Sequence, residues 1–254
     1  MRRRNLVLVA LLLVAALLAI PPLLALWRAG RPIPAITLAP RDAAAPRMLV
    51  VVLPGIADDL GTLQQAHIAE AIQQAQPGAE VTLTAATFRY YLRRNLIARL
   101  HDEIVRPART RGIQRIWFVG ASMGGLGTLL FERAYPGELD GLVLLAPLTG
   151  RRGLRDSIIA AGGLARWQPG APRPAWHPDK DPVEVWRMVR GWGSDPARAR
   201  RVWLVCGTAD KFLPAARLIA PMLPAGHAVE VPGGHSWSVW APAAGEIFAR
   251  SGSV

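Results

Sequence analysis

One stretch constrains this chain more than any other: Arg115-Ile-Trp-Phe-Val-Gly-Ala-Ser-Met-Gly-Gly-Leu-Gly127. Ile116 to Val119 is an apolar, β-prone run, and a helical pattern begins directly after Gly120-Ala121-Ser122-Met123-Gly124. No loop separates the two. The spacing fits G-x-S-x-G, in which a strained strand-to-helix turn holds a serine hydroxyl above the edge of a sheet. Gly120 and Gly124 omit side chains where the turn crowds, while Gly125 and Gly127 let the helix lie close to the sheet. An ordinary glycine-rich βα turn would look the same, so the rest of the chain must decide.

The neighbouring segments call for a parallel sheet. Met48 to Leu53 is continuously apolar, as expected of a strand covered on both faces. Leu60 to Ala75 has helical spacing and closes at Pro77-Gly78. Glu80 to Thr87 reads as the next strand, and Leu92 to Val105 as a helix running up to Pro107. Further strands are expected at Leu142 to Ala146, Arg201 to Cys206 and Ala228 to Val231, with a last helix near Ala243 to Arg250. Strands alternating with helices predict an α/β fold: a mostly parallel central sheet with helices on both faces.

Upstream of Met48 the composition changes. Met1-Arg-Arg-Arg4 precedes a nearly unbroken apolar run from Leu6 to Trp27, about the length a helix needs to cross a bilayer core, roughly 20 residues. A cleaved signal peptide needs a small-x-small site. Ala25-Leu-Trp27 and Trp27-Arg-Ala29 supply poor ones, so residues 1–28 are read as an uncleaved signal-anchor, a transmembrane helix, in preference to a signal peptide. The arginines before the run favour a cytoplasmic N-terminus and an extracytoplasmic domain. Residues 29–47, with Pro32, Pro34, Pro40 and Pro46, read as a stiff linker in which Ile33 to Leu38 can form one edge strand. The domain proper is expected over 48–254.

The formal net charge is +12, carried almost wholly by scattered arginines, with lysine only at Lys180 and Lys211. No dense basic block interleaved with aromatics appears, which argues against nucleic-acid binding. Cys206 is the only cysteine, so no intramolecular disulfide forms, and its apolar run suggests a buried, inert thiol.

Between Leu148 and Asp195 the pattern degrades. Prolines interrupt it, and Trp167, Trp176, Trp186 and Trp192 crowd into it. An insertion after a strand's carboxyl end lies over the edge that carries Ser122, so residues 148–195 are read as a small cap. Trp167, Trp176 and Trp186, together with Trp237, are candidates for the substrate pocket. The competing reading is a crossover whose tryptophans pack on the sheet. His177 beside Asp179 and Asp181 reads as a proline-flanked turn, and no metal is expected.

A serine hydroxyl needs a base to take its proton, and an acid to orient that base. Sites in open parallel sheets form outside the carboxyl ends of the strands. Of five histidines, His227 precedes its strand, while His67 and His101 fall within helical patterns. His235 follows Ala228 to Val231 through Pro232-Gly233-Gly234, at the right edge. Asp140 is at the wrong edge, and Asp58 and Asp59 come before the serine. Asp210 follows Arg201 to Cys206 through Gly207-Thr208-Ala209, giving the order serine, acid, histidine.

With these residues in place, the chain from about Met48 onward resembles the α/β-hydrolase superfamily. Gly120-Ala-Ser-Met-Gly124, Gly207-Thr-Ala-Asp210 and Gly233-Gly-His235 are similar to its nucleophile, acid and histidine motifs. The resemblance implies Ser122 as nucleophile, Asp210 as orienting acid and His235 as general base. It implies an oxyanion hole from the backbone N–H of Met123 and from the loop after Leu53, where Ile56 is the expected donor and Gly55 and Ala57 are alternatives. Leu53-Pro54-Gly55 stands where many members carry His-Gly, and the usual leading antiparallel strands are largely missing, so a trimmed version of the fold is expected.

The reaction that follows is hydrolysis of a carboxylic ester, lipid-like or otherwise apolar, through an acyl-enzyme. An acyltransferase or thioesterase fits the same residues; a non-catalytic binding protein on this scaffold is disfavoured by the complete residue set. Gly120 to Gly127 does not match G-x-G-x-x-G, and no P-loop lysine is present, so no cofactor is expected.

Overall fold

The computed structural model describes residues 32–42, 47–171 and 182–251. The chain divides into two units, residues 1–33 and 34–254, and the second carries the fold described below. The expected anchor over 1–28 lies outside the described residues. Among the described residues, no helix is long and apolar enough to cross a membrane.

Seven strands form one sheet: β1 (Ala35–Leu38), β2 (Met48–Leu53), β3 (Ala79–Thr84), β4 (Arg115–Ala121), β5 (Gly141–Leu145), β6 (Val202–Gly207) and β7 (Ala228–Val231). Their spatial order is β1-β3-β2-β4-β5-β6-β7, and every pairing is parallel except that of β1 with β3. β2, β5 and β6 are buried at every position, as their unbroken apolar runs require. β1 falls within the Ile33 to Leu38 stretch that the sequence allows as an edge strand, and it is the antiparallel edge; the Pro34 carbonyl accepts from the Ala85 N–H at 2.7 Å.

Helices cover both faces. α1 (Leu60–Gln65) and α2 (Ile68–Ala75) follow β2. The single helix expected over 60–75 is split because His67 takes a left-handed conformation, φ 51°. α2 buries Ile68, Ala69 and Ile72 and packs on the C-terminal helix, numbered α11 below. After β3 the chain forms α3 (Phe88–Leu92), α4 (Leu96–Leu100), a π-helical turn (His101–Val105) and α5 (Arg106–Thr110). The helix expected over 92–105 thus breaks at Arg94, φ 56°, and Pro107 opens α5 instead of stopping its predecessor.

α6 (Met123–Ala134) follows β4, α7 (Arg152–Ala160) follows β5, and α8 (Pro182–Trp192) with α9 (Pro196–Ala199) leads into β6. α10 (Leu213–Ile219) and a 3-10 turn (Ala220–Met222) link β6 to β7, and α11 (Trp237–Ser251) closes the chain. α6 packs on β2, β4 and β5, and on α4 and α8. Adjacent strands β2 and β4 send their helices to different packing partners, α2 to α11 and α6 to α8. A crevice between the carboxyl ends of two such strands is the natural binding place in this topology.

The tryptophan-rich segment resolves into two parts. α8 is a crossover helix: Trp186 and Trp192 are fully buried, and Trp186 Nε1 donates to the Thr149 carbonyl at 3.0 Å. The expectation that Trp186 lines a substrate pocket is corrected by this packing. Its indole fills the space between α8 and the chain leaving β5, where burying so large an apolar surface contributes about 2–3 kcal/mol. Trp167 is also buried, in the irregular stretch after α7. Trp176 and His177 lie outside the described residues.

Candidate active site

β4 delivers Ser122 to the carboxyl edge of the sheet with φ 52° and ψ −110°, before the first residue of α6. For a residue with a Cβ this is a sparsely populated region that costs about 1–3 kcal/mol and persists only where the surroundings enforce it. Here the enforcement is visible. The Ser122 N–H donates to the Leu145 carbonyl at 2.8 Å, and the Ser122 carbonyl accepts from Leu148 N–H at 2.8 Å. Two glycines make the turn possible. A side chain at Gly120 would strike the Gly124 carbonyl, and one at Gly124 would strike the carbonyl of Leu53. The start of α6 thus packs backbone to backbone against the end of β2.

Asp210 leaves the end of β6 and His235 the end of β7, as the strand-edge argument expects. The structure brings these two together: Asp210 Oδ2 lies 2.7 Å from His235 Nδ1. Where the Asp210 carboxylate accepts in this pair, Nδ1 is the donor and Nε2 is the open ring nitrogen. The other oxygen, Oδ1, accepts from the Phe212 N–H at 2.8 Å. The Asp210 side chain is wholly buried. Phe212 and Trp240 both meet the imidazole edge-on, with ring centroids 5.0 and 4.6 Å away.

The loop after β2 completes the arrangement. A Cβ added at Gly55 would sit 3.7 Å from Ser122 Cβ, so this loop runs beside the serine. The Gly55 N–H donates to Asp58 Oδ2 at 2.8 Å, which removes Gly55 from the candidate oxyanion donors. Among the described residues, the N–H groups of Met123, Ile56 and Ala57 donate to no carbonyl or side chain. Met123 opens α6, whose N-terminal end carries partial positive charge. Ile56 is 57% exposed.

Two residues at this edge were not singled out as site residues by the sequence pattern. Trp237, expected as a pocket residue, donates its Nε1–H to Asp58 Oδ2 at 2.8 Å. Asp58 therefore holds both the Gly55 amide and the Trp237 indole. Tyr91, on α3, donates its hydroxyl to the Met123 carbonyl at 2.8 Å and occupies the space that the missing side chain of Gly127 leaves. Asp58 stands out in the sequence only as an acid at the right strand edge. Tyr91 has no sequence signal, because its partner is a backbone atom 32 residues away.

An Asp-His pair and a serine on a strained strand-to-helix turn share one sheet edge, a layout that recurs in unrelated proteins. Family membership is decided by the chain itself. A family model described as "Putative esterase" matches residues 42–250. The chain belongs to this esterase family. It is an α/β-hydrolase of the carboxylic ester hydrolase kind. No curated protein matches it by sequence.

Solved structures share the esterase's fold at low identity. Est1E from Butyrivibrio proteoclasticus superposes with a TM-score of 0.58 at 15% identity, over 86% of this chain and 92% of its own. The S-formylglutathione hydrolase FrmB from Staphylococcus aureus gives 0.56 at 13% identity, over 87% and 97%. A monoacylglycerol lipase from Paleococcus ferrophilus gives 0.54 at 18% identity, over 87% and 99%.

Proposed function

We propose that the esterase cleaves its substrate through Ser122, His235 and Asp210, by way of an acyl-enzyme, and that the acyl group it accepts is apolar. The observation that carries this reading is the buried Asp210, 2.7 Å from His235 Nδ1, on the same sheet edge as a serine held at φ 52°.

In the proposed sequence, Ser122 Oγ bonds to the ester carbonyl carbon as its proton passes to His235 Nε2, and the carbonyl π pair moves onto oxygen. The Met123 and Ile56 amides receive that oxyanion, and the α6 terminus adds its field. Collapse breaks the bond to the alkoxy oxygen, which leaves with the proton from His235. Water then repeats the two steps on the acyl-enzyme and releases the acid. Asp210 stabilises the imidazolium that forms each time.

The apolar preference rests on where the large exposed side chains sit. Ile56, Phe88, Leu92 and Ile159 are all exposed, and each belongs to a segment that leaves the carboxyl end of a strand, β2, β3 or β5. Exposed apolar side chains soon after the ends of β2 and β3, Ile56, Phe88 and Leu92, favour a fatty or aryl ester over a charged one. The apolar run from Leu6 to Trp27 further supports a chain held at a membrane, with the domain outside the cytoplasm.

A p-nitrophenyl ester series of increasing acyl length, run on the wild type and on Ser122→Ala, tests the proposal. The expectation is turnover that rises from acetate toward medium chains and disappears in the variant. Undiminished turnover in Ser122→Ala would sink the nucleophile assignment. A strict preference for acetate would sink the apolar pocket.

A further inference from the structure

One carboxylate lies at the centre of the site without belonging to the proposed serine, histidine and acid. Asp58 Oδ2 accepts two hydrogen bonds at 2.8 Å, one from the Gly55 N–H and one from Trp237 Nε1. The Asp58 N–H also points back to the Gly55 carbonyl, at 3.4 Å, so residues 55–58 form a tight turn around their own carboxylate. Ile56, at the crest of that turn, is more than half exposed and so is weakly anchored by packing. The conformation that presents the Ile56 amide is therefore held from below, by Asp58.

The second bond reaches across the site. Trp237 is the first residue of α11, two positions after His235. Its ring meets Trp240 edge-on at 5.4 Å, and Trp240 meets His235 edge-on at 4.6 Å. Asp58 thus joins the loop beside Ser122 to the aromatic wall behind the base. These are separate loops, from β2 and β7, strands with three others between them in the sheet. Among the described residues, no backbone hydrogen bond joins the two loops directly.

We infer that Asp58 is a positioning residue: its carboxylate, through Gly55 and Trp237, fixes the oxyanion loop at the separation from His235 that the tetrahedral intermediate needs. This deepens the proposed function and rests on it. Misplacing a transition-state contact by about 1 Å costs about 100-fold, whereas substrate binding that does not use the contact is left alone. An amide at position 58 keeps one oxygen that can accept both N–H groups; a methyl group cannot.

The test is steady-state kinetics of the full chain with the best p-nitrophenyl ester, on Asp58→Ala, Asp58→Asn, Trp237→Phe and the double variant Asp58→Ala/Trp237→Phe. Asp58→Ala is expected to lose about 100-fold in kcat with KM within about threefold. Asp58→Asn is expected within about fivefold of wild type, Trp237→Phe about tenfold down, and the double variant no worse than Asp58→Ala, because both changes break one linkage. Affinity for a trifluoromethyl ketone, which adds to the serine and puts an oxyanion in the hole, is expected to fall in step with kcat/KM across the set.

Unchanged kcat in Asp58→Ala, equal losses in Asp58→Asn and Asp58→Ala, or losses that multiply in the double variant would each overturn the inference. If Asp58→Ala does not fold, by its urea midpoint, Trp237→Phe and the ketone affinities decide alone. Full activity in Ser122→Ala would instead overturn the reading on which the inference rests.

Discussion

Replacing Asp210 by asparagine is the sharpest available test of how the histidine is used. The side chain is wholly buried, with Oδ1 accepting from the Phe212 N–H at 2.8 Å and Oδ2 facing His235 Nδ1 at 2.7 Å. An asparagine fits the same space, but its two ends are no longer equivalent. The Phe212 amide is a donor and needs an acceptor, so the amide oxygen takes the Oδ1 position. The NH2 group then faces Nδ1 and donates to it. His235 is forced to carry its proton on Nε2, the nitrogen that accepts from Ser122 in the proposed mechanism. The fold and the substrate face are untouched while the base is turned into a donor. The same tautomer error in a serine protease costs about 10⁴ in kcat, equivalent to about 5.5 kcal/mol of barrier. Stopped-flow acylation with p-nitrophenyl acetate, with a urea midpoint to confirm folding, measures it. A kcat within tenfold of wild type would refute the reasoning, because the base would then not depend on the tautomer that Asp210 selects.

Trp186→Ala is expected to destabilise the protein by about 3–5 kcal/mol in urea unfolding while leaving acyl-chain preference unchanged; a shifted preference at unaltered stability would return Trp186 to the pocket. The Cys206 thiol is pushed up to about 12, first by burial and then by the Asp210 and Glu230 carboxylates, so a thiol reagent such as Ellman's should react only as the chain unfolds. Rapid reaction in the native state would contradict that burial. Burial also raises the Glu132 carboxyl, against the opposing pull of Arg201. A carboxyl that holds its proton more tightly when folded contributes stability below its ordinary value of 4.5, and loses it as pH climbs through the raised value. The unfolding free energy of wild type relative to Glu132→Gln should therefore fall as pH climbs above about 4.5, and a constant or rising difference would be the wrong sign.

Much of the fold was legible because it rests on local pattern. Runs such as Met48 to Leu53 and Val202 to Val205 are apolar at every position, and only a strand covered on both faces buries such a run. Helix boundaries were less legible. The breaks at His67 and Arg94 come from left-handed residues with no glycine or proline to announce them. The tryptophans of residues 148–195 misled for a related reason. A large aromatic side chain suits a core and a pocket equally, and only the packing of α8 on α6 assigns Trp186 and Trp192 to the core.

The Ser122 turn illustrates the division. Strand, glycine, serine and helix are contiguous, so the sequence alone pointed to a strand-to-helix turn, and strand direction was enough to put Asp210 and His235 at the same edge. Tertiary structure decided the rest: that Asp210 is wholly buried and shares its two oxygens between Phe212 and His235, that Gly55 spends its amide on Asp58, and that Trp237 reaches back across the site to the same carboxylate. These contacts join residues 2 to 179 positions apart. A pattern of residue types records which face of an element is apolar. It carries no record of which distant polar atoms meet once the faces are buried, because those meetings are set by how loops from separate strands come together above the sheet.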